Sequence, residues 1–207
     1  MDNANPAESS PGSERGQVDS QSTKTALRAT IRARLSEMPA AARVAASHSI
    51  CAILKQQRVW RSANTILFFA PLPSEPDVWP LLRDALLGDK TVALPRFSTR
   101  THDYTAAIVK NPESELRSGQ FGIREPGVPC PEIALNRLDL VLVPGVAFDA
   151  RGRRLGRGKG FYDRLLSAVK GTKCGVAFDE QIVEAVPVVP SDVLVNCILT
   201  PTRWIET

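Results

Sequence analysis

The stretch LDLVLVPGVAFDARGRRLGRGKGFYDRLL, residues 138–166, leaves this chain few folds to choose from. Residues 138–148 are apolar and β-branched, the composition of a strand buried on both faces, as in a parallel sheet. Residues 149–159 form a polar connection that holds four arginines, one lysine and Gly152, Gly156 and Gly158. Gly160 then leads into FYDRLLSAVK, where Tyr162, Leu165, Leu166 and Val169 recur at helical spacing. Strand, glycine-rich basic loop and helix, in that order, describe an anion site. Glycines let the backbone approach a ligand and adopt positive φ, while loop and first-turn N–H groups point at phosphate oxygens. Arg153, Arg154, Arg157 and Lys159 add side-chain charge, each charge-assisted bond to phosphate being worth roughly 1.5–3 kcal/mol. Between Asp149 and Asp163 lie five cations and no acid, a concentration that needs either an opposing anion or full solvation.

The rest of the chain is compatible with one domain built around that unit. Its 207 residues, 43% of them apolar, suffice for one α/β core. A net charge of +4 suits anionic small molecules and nucleic acid alike. The apolar runs are strand-length and end at charges or prolines, and the N-terminus lacks a basic start followed by an apolar block, so a cytoplasmic protein with no membrane segment is expected. Cys51, Cys130, Cys174 and Cys197 are scattered, which reads as four reduced structural thiols and not as a zinc or redox site. With only His48 and His102, a catalytic triad has little material.

Residues 1–22 read as a solvated, disordered acidic tail and residues 23–207 as the folded domain. Helical patterning starts at Thr23, with Leu27, Ile31 and Leu35 on one face. Lys24 and Arg28, one turn apart, belong to a solvated basic face or reach a common anion. A second helix is expected over residues 40–57, with Val44, Cys51 and Leu54 inward and His48 packed. A buried strand over residues 64–70 ends in the rigid turn PLPSEP, followed by a helix over residues 77–87 with Pro80 in its first turn. Glu75 in that turn either meets a ligand at the strand's carboxyl end or complements the helix dipole. Strands follow over residues 91–94 and 104–109, with His102 in the loop between, then an irregular stretch over residues 111–137. A strand at residues 173–178, a helical turn at 181–185 and a last strand at 193–199 complete the chain. The alternation gives an α/β fold: a single domain with an open, mostly parallel sheet covered by helices.

Two common phosphate loops do not fit. A P-loop needs Ser or Thr after its Gly-Lys, and Gly158-Lys159 is followed by Gly160. A dinucleotide loop needs G-x-G-x-x-G directly after the strand. Here Gly156, Gly158 and Gly160 come eight residues later, among too many arginines, although Asp179 lies at the distance of a ribose-binding acid. A triphosphate with a polyanionic partner accounts better for the charge. Nucleic acid is not expected, because the cations cluster in one loop with few aromatics interleaved.

The segment VPGVAFDARGRRLGRGKGFYDRLL resembles the signature of the 5-formyltetrahydrofolate cyclo-ligase family, also called 5,10-methenyltetrahydrofolate synthetases. Four further segments resemble that family in type and order. They are KTALR at residues 24–28, SEPD at 74–77, FGIREP at 121–126 and VPVVPSDVLVNCILT at 186–200, so the likeness spans residues 23–200. The resemblance implies a sugar-isomerase/CoA-transferase-like three-layer arrangement and an ATP-dependent ligase that uses Mg²⁺. Such an enzyme phosphorylates the formyl oxygen of 5-formyltetrahydrofolate, forming an imino-phosphate, and closes the ring to 5,10-methenyltetrahydrofolate with release of ADP and phosphate. A non-catalytic folate- or nucleotide-binding relative is the alternative.

What the resemblance implies for residues is specific. Lys24, Thr25, Ala26, Leu27 and Arg28, with Arg154, Leu155, Gly156, Arg157, Gly158, Lys159, Gly160, Phe161 and Tyr162, would bind ATP. Arg157 and Lys159 would be catalytic. Arg157, Gly158, Lys159, Gly160 and Phe161 would also face the folate, with Glu75 on its pterin, where a carboxylate accepts paired N–H donors. Asp163 and Asp192 would hold Mg²⁺, which favours oxygen ligands. Asp163 is equally readable as a first-turn acid of its helix, and Asp192 as a turn residue. Partners would be the small molecules 5-formyltetrahydrofolate and Mg-ATP, and the protein a monomer. Three positions depart from the family's pattern: Phe161 where tyrosine is frequent, Val78-Trp79 where threonine is common, and Asn196 for an acid. Phosphoryl transfer asks for positioning and charge neutralisation, and none of the three removes a group it needs.

Overall fold

The computed structural model describes residues 12–119 and 122–207, with side chains from Gln21 onward. Helices α1 (Gly12–Glu37), α2 (Ala40–Gln56) and α3 (Arg58–Ser62) precede strand β1 (Thr65–Leu67), helix α4 (Trp79–Leu87) and strands β2 (Thr91–Ser98) and β3 (Asp103–Ile108). The middle of the chain gives α5 (Pro112–Glu115), β4 (Leu116–Ser118), β5 (Arg124–Pro126) and β6 (Glu132–Ile133). Strands β7 (Leu140–Pro144), β8 (Ala147–Phe148) and β9 (Arg154–Leu155) lead to α6 (Phe161–Ser167), β10 (Thr172–Val176), β11 (Cys197–Leu199) and β12 (Trp204–Glu206).

Among the described residues, eight strands form one sheet in the order β12-β11-β10-β7-β1-β2-β3-β6. Strands β11, β10, β7, β1 and β2 run parallel, and β12, β3 and β6 add antiparallel flanks. Successive side chains leave a strand on opposite faces. Ile66, Leu140, Leu142 and Val176 therefore pack against Ile50, Leu54, Leu81 and Leu82 of α2 and α4. Leu67, Val141, Val143 and Ile198 meet Leu165 and Leu166 of α6 on the other face. Each fully buried leucine or isoleucine contributes roughly 1.5–3 kcal/mol, which is what holds helices on both faces of the sheet. A third cluster seats Ile31 and Leu35 of α1 against Ala147, Leu155 and Phe178.

The expected strand over residues 138–148 is broken in two. It leaves the sheet at Pro144, and residues 147–148 form a hairpin with β9 in which Val146 N donates to Leu155 O at 2.7 Å. The ring of Phe148 packs at the break. It lies between Gly145 and Gly175, where a Cβ at either position would fall 2.6 Å from a ring carbon. Strand β2 runs on through Pro95 to Ser98, past its expected end. Its β1 pairing stops at Ala93, so the missing N–H of Pro95 breaks no ladder, and β3 pairs the other edge.

Other boundaries also move. Helix α1 begins at Gly12, well before Thr23; once a packed segment nucleates a helix, extending it over polar residues is cheap. Residues 1–11 of the expected tail lie outside the described residues. Val44 is 57% exposed, and the inward residues of α2 are Ser47, Ile50, Cys51 and Leu54. Val44 lies one turn before Ser47 and lines a surface groove with Pro71 and Trp79. The stretch expected to be irregular holds a helical turn capped by Asn111 Oδ1, the β4–β5 hairpin and edge strand β6; Gln120 and Phe121 are outside the described residues. Helix α6 ends at Ser167, short of Lys170. The last expected strand shortens to Cys197–Leu199, and β12, which was not expected, pairs with it.

Candidate functional site

Strands β1 and β7 are neighbours, but their connections leave in opposite directions. From β1 the chain passes through α4 on one face to β2, and from β7 through α6 on the other face to β10. The crevice outside the carboxyl ends of two such strands is where open α/β sheets bind ligands. A cavity of about 370 Å³ sits there, walled by Phe69 and Ala70 after β1, by Pro144 and Gly145 at the end of β7, and by residues 154–163.

The loop that enters the cavity is anchored by Asp149, a fully buried carboxylate. Oδ1 accepts from Arg151 N at 2.9 Å and Arg153 N at 3.2 Å, and Oδ2 from Val186 N at 2.8 Å. These bonds close the β8–β9 turn and tie it to the segment that carries Asp192. Gly158 and Gly160 take φ of 101° and 69°, in the region where side chains are strained, and Gly160 caps α6. At seven residues, α6 supplies little dipole, so the site's charge comes mainly from side chains.

Those charges are arranged as pairs. Asp192 Oδ2 accepts from Lys24 Nζ at 2.7 Å and from Val189 N at 2.8 Å. Asp163 Oδ1 accepts from Arg154 Nη2 at 2.8 Å, and the Arg154 guanidinium lies 5.7 Å from the Tyr162 ring centre. The Nε of Arg154 is buried with no hydrogen-bond partner among the described residues. Glu75 Oε1 accepts from Arg157 Nη2 at 2.7 Å and Oε2 from Leu72 N at 2.9 Å. Arg28 donates through Nε to Gly156 O at 2.9 Å; burial and then Arg32 lower its affinity for its proton, while Asp192 raises it. Burial, then the charge of Glu75, raises the Tyr162 phenol, which stays protonated as a donor.

The residues expected at the site fall into two groups. Lys24, Arg28, Glu75, Arg154, Leu155, Gly156, Arg157, Gly158, Lys159, Gly160, Phe161, Tyr162, Asp163 and Asp192 all line this cavity. Thr25, Ala26 and Leu27 do not; the first two are exposed on α1 and Leu27 packs against the α1 cluster. Helical geometry explains this, since only positions one turn apart share a face. Glu75 precedes α4, whose first turn carries no acid, so the helix-dipole reading of it fails. Asp163 is both a first-turn acid of α6 and a cavity residue.

Tyr104, Ile123, Arg124 and Glu125 also line the cavity and were missed, although the strand-end rule that flagged Glu75 could have flagged Phe69, Ala70 and Gly145. His48 and His102 do not line it, and the four cysteines are buried elsewhere. The cavity can therefore neutralise and position a polyanion beside a flat ring, but among the described residues it offers no activated nucleophile. Among the described residues no three of His, Cys, Asp and Glu cluster as metal ligands, and no helix is long and apolar enough to cross a membrane.

An open α/β sheet with this loop and this charge at its switch point defines an α/β protein with a cation-rich ligand cavity at its strand ends. The chain belongs to the 5-formyltetrahydrofolate cyclo-ligase family, whose sequence model matches residues 20–201. It is 34% identical over 145 residues to the 5-formyltetrahydrofolate cyclo-ligase of Escherichia coli K12, covering 68% of this chain and 80% of that one. With the Mycolicibacterium smegmatis cyclo-ligase the identity is 31% over 188 residues, 88% of this chain and 96% of the relative. The fold is similar to the NMR structure of Aquifex aeolicus 5,10-methenyltetrahydrofolate synthetase, with TM-score 0.80 and 32% identity over 88% of this chain and 92% of that one.

Proposed function

We propose that this chain cyclises 5-formyltetrahydrofolate to 5,10-methenyltetrahydrofolate with conversion of ATP to ADP and phosphate, acting in the cytoplasm as a monomer. The formyl oxygen attacks the γ-phosphorus, the bond to the ADP oxygen breaks, and an imino-phosphate forms. The N10 lone pair then adds to the activated carbon. Phosphate leaves with the carbon–oxygen bond, and N10 loses its proton as the ring closes.

The observation that carries this reading is the convergence of Lys24, Arg28, Glu75, residues 154–163 and Asp192 on one cavity. In the proposal, Lys24, Arg28 and Arg154 neutralise phosphate oxygens, the buried Arg154 Nε finding its acceptor there. Arg157 and Lys159 stabilise charge that develops on the transferring group, where electrostatic contributions are largest. Glu75 and Phe161 hold the folate, and Tyr162 donates a hydrogen bond.

Asp163 and Asp192 are hard oxygen donors in one cavity, a set that fits Mg²⁺ when phosphate and water complete the shell; bound there, the ion would screen phosphate charge. Each carboxylate now pairs with a cation that itself suits phosphate, so an exchange of partners loses no neutralisation.

The test follows methenyl absorbance in the near ultraviolet, with purified protein, 5-formyltetrahydrofolate and Mg-ATP. Growth should require both ATP and Mg²⁺ and fall about 100-fold or more in Lys159→Ala. A flat trace from folded protein that binds the folate would leave a non-catalytic relative.

A further inference from the structure

Glu125 has no role in the reading above, yet it lines the same cavity as Glu75. It stands on β5, opposite Arg117 of β4, and is 7% exposed. Its Oε2 accepts from Phe97 N at 3.0 Å. Gly119 makes room for it, since a Cβ there would fall 2.5 Å from the Glu125 carboxyl carbon. The hairpin is thus built to bring a carboxylate over the end of β2.

What adjoins that carboxylate is a wall of rings. Phe97, Tyr104 and Phe161 stand edge to face with centroids 5.4–5.6 Å apart, and Tyr104 and Phe161 line the cavity. The Tyr104 phenol is pushed up to about 12 by burial and then by the charge of Glu125, which sets the carboxylate beside the wall. A carboxylate only accepts hydrogen bonds, up to about four of them, and aromatic faces favour flat partners. Together they select a planar ring with N–H groups on its edge. Glu75 is placed differently, with one oxygen on the exposed guanidinium of Arg157 and the other on its own turn.

We infer that Glu125 is a second recognition carboxylate of this cavity, accepting N–H donors from the edge of the substrate's flat aminopyrimidinone ring as that ring packs on Tyr104 and Phe161, which Phe97 backs. The inference rests on the cyclo-ligase reading and assigns part of its folate recognition to the β4–β5 hairpin.

The experiment is calorimetric titration of wild type, Glu125→Gln and Gly119→Ala, each with 5-formyltetrahydrofolate and separately with Mg-ATP. Glutamine keeps volume and an acceptor for Phe97 N but turns one acceptor into a donor. Losing a charge-assisted bond to the ring should weaken folate binding by about 10- to 100-fold, with Mg-ATP affinity within about twofold. Gly119→Ala, which displaces the Glu125 side chain, should show the same split and carries the test if Glu125→Gln does not fold. Unchanged folate affinity in both variants, or equal losses for both ligands, overturns the inference, because Glu125 then only props the backbone at Phe97. Failure of the wild type to bind the folate at all would overturn the cyclo-ligase reading first and the inference with it.

Discussion

Two lysine–aspartate pairs in this protein are nearly identical in geometry. Lys24–Asp192 closes at 2.7 Å and Lys55–Asp84 at 2.8 Å. The first pair's side chains are 8% and 16% exposed, the second's 48% and 42%. Water already solvates Lys55 and Asp84, so their contact adds little. Lys24 and Asp192 have given up most of their water, and each depends on the other or on a ligand that replaces it. In the proposed reading this difference is what would make a cavity cation available to phosphate: its present partner can be exchanged, but not simply removed.

Asp192→Ala tests this most severely. It strands the Lys24 ammonium and should cost about 3–5 kcal/mol of stability in denaturant unfolding, with Lys24→Met on the same background recovering part of the loss. A loss no larger than that of an exposed pair would end the comparison. Arg157→Ala comes next: Arg157 is about half exposed, but its partner Glu75 is only 7% exposed, so leaving that carboxylate short of a donor should cost about 1–3 kcal/mol, while turnover falls about 100-fold. Tyr104 gives a smaller effect. Its phenol is raised to about 12 from an ordinary value near 10. Its contribution to stability is therefore complete below about pH 10 and is lost as pH rises through about 12. Absorbance titration at alkaline pH should show the late tyrosinate, and Glu125→Gln should bring it earlier. Lys55→Ala should leave the melting temperature and the binding of both ligands unchanged, and it serves as the control for Asp192→Ala.

Much of the site could be read from the chain because its chemistry is local. The glycines and cations between Arg154 and Lys159 sit together in sequence, and their spacing already implied a backbone cradle. The strands β1 and β7 were visible as apolar runs for the same reason. The packing of Phe148 between Gly145 and Gly175 was not legible, because no local pattern reports where a distant strand will place a glycine. Strand β2 continued through Pro95 because its neighbour had ended, a fact of register. Glu125 was visible as a letter in FGIREP, but its approach to the ring wall depends on a hairpin folded across β2. Thr25, Ala26 and Leu27 differ in the opposite sense: they sit within a motif whose helix turns them away from the cavity.

The bond between Lys24 and Asp192 joins residues 168 positions apart. During synthesis the cations of α1 leave the ribosome early, and the carboxylate that neutralises Lys24 arrives only near the end. The sheet core can begin to condense before then, since β1 and β2 are contiguous neighbours across α4. Its cavity cannot form until nearly the whole chain has emerged, so a product that stops short of Asp192 would lack the partner of Lys24 and an intact cavity wall.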